Sequence, residues 1–381
     1  MKQTLGIYIH IPYCVRKCNY CDFLSLPLGE TEDCNGREAY VKQLLQEIQK
    51  PWKIPENPVT VDTVYIGGGT PSVLSISQIS SIISQLRKQW KVDPQAEITM
   101  ECNPGTVGRQ GLMQYREMGI NRLSMGIQSA VDHELQALGR IHTFSQAKQA
   151  VEWAKEAGFT NISVDLMSAI PGQTLESYEF SLHQILNLEP QHISSYSLII
   201  EEGTPFYEKY WQKPPVDEET DRRMYEMTGE ILEANGYRRY EISNYAKPGY
   251  ESRHNTKYWT GKDYLGIGLG ASSKIGRFRI QNERELSRYL QNIQEHKRVS
   301  YIEETLTKEE EEREYFILGL RCTRGVSLRQ FVQCFGREAL AGYEETIRHI
   351  CELGLAKRQG EMLALTKKGI DVSNLIFEMF L

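Results

Sequence analysis

Residues 5–21 read LGIYIHIPYCVRKCNYC, a β-rich run that passes directly into three closely spaced cysteines. The part from Leu5 to Ile11 has the composition and alternation of a strand. Similar short runs follow at Val61 to Ile66, Glu97 to Cys102, Asn121 to Gly126, Asn161 to Met167 and His192 to Ile199. The stretches between them have helical period; from Phe144 to Ala157, for instance, Ala147, Ala150, Val151, Ala154 and Ala157 share one face. Strands alternating with helices predict a parallel sheet with right-handed crossovers, and six such units suit an α/β partial (βα)6 barrel. Each of the first five strands also ends in something that a plain connector does not need. In order these are the cysteine run, GGGTPS from Gly67, the E-C-N-P-G run ending at Gly105, Gln128 and Asp165. In a barrel these loops converge on one face, where active sites are built.

Beyond about residue 210 the pattern changes, which predicts a barrel core over 1–210, an extension over 211–300 and a small C-terminal domain over 301–381. In the last of these, Thr307 can cap a helix whose first turn carries Glu309 and Glu310. Two more helices and two short strands around Gly360 resemble a winged helix. Its recognition helix, Arg337 to Leu353, has two basic residues against four glutamates, so no nucleic-acid partner is expected. The 381 residues carry a formal net charge of -6, which offers nothing to phosphate or anionic lipid. No apolar run approaches the roughly 18 residues of a membrane span, so only a transient membrane contact is compatible. The N-terminus has no secretory pattern, and eight cysteines, three of them within eight positions, suggest a cytoplasmic protein with a metal site.

Cys14, Cys18 and Cys21 leave gaps of three and two residues, so one tight loop can wrap three thiolates around one centre. A four-iron cluster usually takes four thiolates, so three leave one iron open. A zinc site completed by His10, a redox pair and a purely structural trio are the alternatives. Gly68, Gly69 and Thr70 belong to a loop where backbone can approach a ligand closely. Glu101 offers an acceptor for an amino group and Arg140 a planar fork for a carboxylate.

With Tyr20 between its last two cysteines, CVRKCNYC resembles the C-x3-C-x2-C signature of radical-SAM proteins. The resemblance implies a 4Fe-4S cluster on Cys14, Cys18 and Cys21, with S-adenosylmethionine (SAM) chelating the open iron. It further implies that Gly68, Gly69, Thr70 and Glu101 receive the methionine amino group and Arg140 the carboxylate. Gln128 and Asp165 would take the ribose hydroxyls, Tyr8 and Tyr20 would flank the cofactor and Ile199 would pack by the adenine. These roles are the ones known in the HemN-type coproporphyrinogen oxidases. Those enzymes, however, carry a further cysteine where this chain has Phe23, and a long segment where this chain has 13 residues before Cys14. The run ESRHNTKYW, with His254, Asn255, Tyr258 and Trp259, is similar to the HNxxYW motif of the heme-chaperone branch, although Ser272 stands where relatives often have a histidine.

Two function classes follow. A carrier would bind heme, with His254 as iron ligand, and hand it to an acceptor such as a respiratory protein. An oxygen-independent oxidase would decarboxylate the propionates of coproporphyrinogen III. Phe23, the short N-terminus and HNxxYW favour the carrier. A histidine hydrogen-bonded within an aromatic cluster is the plain alternative for His254.

Overall fold

Side chains alternate across each strand of the barrel, and the two faces differ in chemistry. The computed structural model describes residues 4–28, 34–49 and 59–381. Its six leading strands are β1 (Thr4–Ile11), β2 (Thr60–Gly68), β3 (Val92–Cys102), β4 (Arg122–Gln128), β5 (Ile162–Ser168) and β6 (His192–Ser197). All pair in parallel, in chain order, as the alternation predicts. Leu5, Ile7, Ile9 and Ile11 of β1, Val64 and Ile66 of β2, and Leu123, Met125 and Ile127 of β4 are all buried in one apolar core. That core is completed by the crossover helices α1 (Cys34–Gln49), α2 (Ile76–Gln89), α3 (Arg109–Glu117), α4 (Phe144–Glu156) and α5 (Leu175–Leu186). The other face carries Tyr8, Thr63, Tyr65, Glu101, Arg122, Asp165 and His192, a polar interior in place of the usual branched apolar layers.

The sheet does not stop at six strands. The chain after α6 (Glu218–Ala234) adds β7 (Arg238–Arg239), β8 (Asn244–Ala246), β9 (Tyr264–Ile267), β10 (Ser272–Ile275), β11 (Phe278–Asn282) and β12 (Ser300–Thr305). The twelve-stranded order is β12-β11-β10-β9-β1-β2-β3-β4-β5-β6-β8-β7. Strand β9 lies parallel against β1, from Gly6 opposite Tyr264 to Ile9 opposite Ile267, so the first strand of the chain is an interior one. Between β8 and β9 the helix α7 (Arg253–Trp259) carries the HNxxYW residues. It packs where β1 has Gly6, since a Cβ there would lie 2.8 Å from Lys257 and 3.2 Å from His254.

A separate core holds the C-terminal residues, built from Phe316, Phe331, Ile347, Leu363 and Phe380 among others. Helices α8 (Lys308–Gly319), α9 (Leu328–Phe335) and α10 (Arg337–Glu352) stand beside a sheet ordered β13 (Val326–Ser327), β15 (Met362–Leu365), β14 (Ala356–Gln359). The Thr307 cap forms as a complete capping box with Glu310. No helix of the described residues is long and apolar enough to cross a membrane.

Candidate functional site

The loops at the carboxyl ends of β1 to β6 enclose a cavity of about 440 Å³. Cys14, Cys18 and Cys21 line it together with Tyr20, Gly68, Gly69, Thr70, Glu101, Gln128, Arg140, Asp165 and Ile199. Twelve of the fourteen expected site residues are therefore gathered on one face.

The cysteine loop is held from both sides. The Thr70 hydroxyl donates to Cys14 Sγ at 3.5 Å and Arg140 Nη1 to Cys18 Sγ at 3.5 Å. Asn19 anchors the loop through its backbone N–H to the Leu138 carbonyl and its side-chain amide to the Ala137 carbonyl. Burial pushes the Cys14 thiol up and Cys21 up to about 11, so a metal bound to these two sulfurs would displace their protons. Among the described residues no three His, Cys, Asp or Glu side chains close on a single ion. His10, the proposed fourth zinc ligand, has both nitrogens engaged, Nε2 donating to the Leu24 carbonyl at 2.8 Å and Nδ1 accepting from the Tyr8 hydroxyl at 3.0 Å.

The glycine loop follows from close approach. Gly68 has φ +114 and a Cβ there would lie 2.5 Å from the His10 ring, while a Cβ on Gly69 would meet Tyr13 O at 2.6 Å and Cys14 Sγ at 3.0 Å. The Gly68 N–H donates to Glu101 Oε2 at 3.0 Å and the Tyr65 hydroxyl to Oε1 at 2.7 Å. Burial still pushes the Glu101 carboxyl up to about 7, against those two hydrogen bonds, with Asp165 adding to the rise. Burial likewise pushes Asp165 up to about 6, against hydrogen bonds from Ser194 and Ser124 and the nearby Arg122 and Arg140. Gln128 reaches the cavity through a bulge: the register of β4 against β5 shifts between Gly126 and Gln128, and Gln128 takes φ 74. The Tyr196 hydroxyl then fixes its Oε1 at 3.1 Å.

Arg140 donates Nη2 to Asn103 Oδ1 at 2.6 Å and to the Gly126 carbonyl, while its buried Nε has no partner among the described residues. Asn103 Nδ2 in turn donates to Thr70 Oγ1 at 2.7 Å, so one chain of hydrogen bonds links the Arg140 fork to Cys14. Asn103, Tyr65 and Tyr196 were not among the expected residues. Only Asn103 had a local signal, its place in the E-C-N-P-G run.

Two expected residues stand outside this cavity, and His254 takes the arrangement named as its plain alternative, hydrogen-bonded among aromatic rings. Tyr8 does not line this cavity; its hydroxyl is turned to His10 and its ring stacks on Tyr65 with centroids 6.2 Å apart. His254 is fully buried, with Nδ1 paired to Thr63 Oγ1 at 2.9 Å and Nε2 to the Tyr258 hydroxyl at 3.0 Å. Burial lowers it to about 3, and neither nitrogen is open to iron.

The donor set fits a four-iron cluster and an amino-acid ligand: three thiols with one side open, a carboxyl within the same walls, and a guanidinium with a spare donor. Comparison with known proteins agrees. A model for the radical SAM superfamily matches residues 8–185, and one for the HemN C-terminal domain matches 306–372. The solved coproporphyrinogen III oxidase HemN of Escherichia coli, a radical SAM enzyme, is 25% identical, with TM-score 0.86 over 100% of this chain and 90% of that one. The heme chaperone HemW of Bacillus subtilis is 37% identical over 98% of both chains. That of Lactococcus lactis is 36% identical over 100% of this chain and 98% of its own length. With identity sustained from end to end, and cysteine and HNxxYW segments standing in one fold, the chain belongs to the HemW family of radical-SAM proteins.

Proposed function

We propose that this protein binds heme and passes it to an acceptor protein, such as a respiratory one, while carrying a 4Fe-4S cluster on Cys14, Cys18 and Cys21 and SAM in the loop cavity. When bound, the cluster and SAM supply low-potential one-electron chemistry. The residues of this chain do the holding. Glu101, supported by Tyr65 and Gly68, accepts the methionine ammonium; Arg140, oriented by Asn103, takes the carboxylate; Asp165 and Gln128 take the ribose hydroxyls. Tyr20 flanks the cofactor and the exposed Ile199 covers the adenine. Thr70 and Arg140 stabilise the thiolates by donating to sulfur. A cytoplasmic setting goes with this reading, since free thiols persist where they are kept reduced.

The observation that carries the heme reading is the end-to-end match to proteins named heme chaperones, stronger in identity than the match to the oxidase. Phe23 supports it: an exposed aromatic stands where the oxidases place a further cysteine. The deciding experiment is anaerobic. Protein with reconstituted cluster is titrated with heme, and separately incubated with coproporphyrinogen III, SAM and a strong reductant. The expected result is stoichiometric heme uptake and no protoporphyrinogen. Catalytic formation of that product would transfer the assignment to the oxidase.

A further inference from the structure

A second cavity, of about 630 Å³, lies beside the first and shares Asp22, Phe23, Gly68 and Glu101 with it as a common wall. Its volume falls within the range of small-molecule sites, roughly 300–1,000 Å³. Tyr258, Trp259 and Tyr264 supply flat aromatic surface, and Lys274, Arg279 and Arg284 supply positive charge. Arg279 is committed to Glu304 and Glu314. Lys274 donates to the carbonyls of Gly261 and Gly276, and neither it nor the exposed Arg284 has a carboxylate partner among the described residues. Aromatic faces with two cations free of carboxylate partners match a planar macrocycle bearing two carboxylates.

Iron in such a macrocycle takes His, Cys, Met or Tyr. Among the described residues, the walls of this cavity hold no Cys or Met and one histidine, His10, which has both nitrogens engaged. Three tyrosines remain, and their hydrogen bonds separate them. A phenolate is stabilised by a neighbouring N–H, so the imidazole beside it must be able to donate. The Leu24 carbonyl accepts only, which fixes the proton of His10 on Nε2 and leaves a lone pair on Nδ1 facing Tyr8. His254 is different: Thr63 is a hydroxyl, able to give or accept, so either tautomer satisfies both of its hydrogen bonds. With Nδ1–H directed at Thr63, Nε2 accepts from the Tyr258 phenol. With Thr63 donating instead, Nε2–H donates to a Tyr258 phenolate, and no charge appears on the imidazole. No histidine is paired to the third tyrosine, Tyr264; its ring packs edge-on against Tyr258 with centroids 4.6 Å apart.

We infer that Tyr258 is the iron ligand for ferric heme seated in this second cavity, with His254 as a positioning residue behind it and Lys274 and Arg284 receiving the propionates. This rests on the heme-carrier reading and replaces His254 as its ligand. In binding, the iron–hydroxide bond of ferric heme breaks, a bond from iron to the Tyr258 oxygen forms, and the phenol proton leaves with the hydroxide as water. No electron is transferred.

Resonance Raman spectroscopy of the wild-type protein loaded with ferric heme tests the ligand directly. Phenolate ring modes are expected, lost in Tyr258→Phe together with about tenfold in heme affinity. They should persist, shifted, in His254→Ala. Iron and sulfide content reports that each variant is folded. An imidazole-ligated spectrum in the wild type, or phenolate modes surviving in Tyr258→Phe, would overturn the assignment. Should Tyr258→Phe fold poorly, Arg284→Ala tests the seat: it should bind heme several-fold more weakly, with ligation bands unchanged and no loss towards heme dimethyl ester. Equal heme affinity would overturn the seat. A wild type that takes up no heme at all would instead remove the carrier reading itself.

Discussion

At Glu101 the demands of folding and of ligand binding oppose each other. Its carboxyl, pushed up to about 7 by burial, holds a proton between about pH 4.5 and 7 that the unfolded chain has already lost. Stability therefore falls as pH rises through that window, by on the order of 3 kcal/mol at most. An ammonium ligand needs the ionised form, so SAM affinity should weaken as pH drops below about 7. Glu101→Gln separates the two effects: it should melt higher than the wild type at pH 8, yet bind SAM more weakly by about 1.5–3 kcal/mol and with a flat pH profile. Thermal melts and calorimetric titration at pH 5.5 and 8 check both signs, and an unchanged SAM profile would separate Glu101 from the ligand. Glu101 was visible in the sequence because it opens the E-C-N-P-G run at the end of the third strand, and Arg140 as a planar fork for a carboxylate that the family resemblance picks out. The sequence could not reveal Tyr65 or the hydrogen bonds of Asn103, which reach across strands, nor that Tyr8 is turned to His10; for His254 it left the packed, hydrogen-bonded arrangement open as the alternative.

Among the elements, the turn after β2 carries the sharpest constraint. Gly68 combines φ +114 with a His10 ring 2.5 Å from where a Cβ would lie, whereas Gly105 has φ +87 and open space around it. Gly68→Ala should therefore cost about 2–4 kcal/mol, from backbone strain plus overpacking, and Gly105→Ala only about 1 kcal/mol. Chemical denaturation of the two variants measures the difference; equal losses would mean that the His10 ring moves aside freely. The six strands, and Thr307 with Glu310 at the head of α8, were legible because period and capping are local properties of sequence. The bulge that aims Gln128 was not, since an extra residue in β4 becomes visible only against the register of β5.

Across the described residues the apolar side chains form two large cores and a small cluster around Met167, Ile170 and Phe206, and residues beyond 210 belong to both large cores. Met224, Leu232, Tyr245, Leu265, Ile267, Tyr289 and Ile293 pack into the barrel core, while Phe316 and Phe331 build the other. A chain cut after residue 210 should pellet on expression, and one cut after residue 305 should stay in the supernatant; a soluble 1–210 fragment would show that the later strands are accessory. The change of pattern near residue 210 was visible in the sequence, but the parallel pairing of β9 on β1 was not, because partners so far apart leave no local mark on each other. That pairing also sets a clock. On the ribosome β1 emerges long before β9, with Gly6 to Ile9 awaiting Tyr264 to Ile267, and at about 5–20 residues per second this means an open edge for tens of seconds. An unpaired apolar edge is the template on which nascent chains associate. Slow stretches of translation between the two strands would lengthen that exposure, and trigger-factor-like holding of the nascent N-terminus would shorten it.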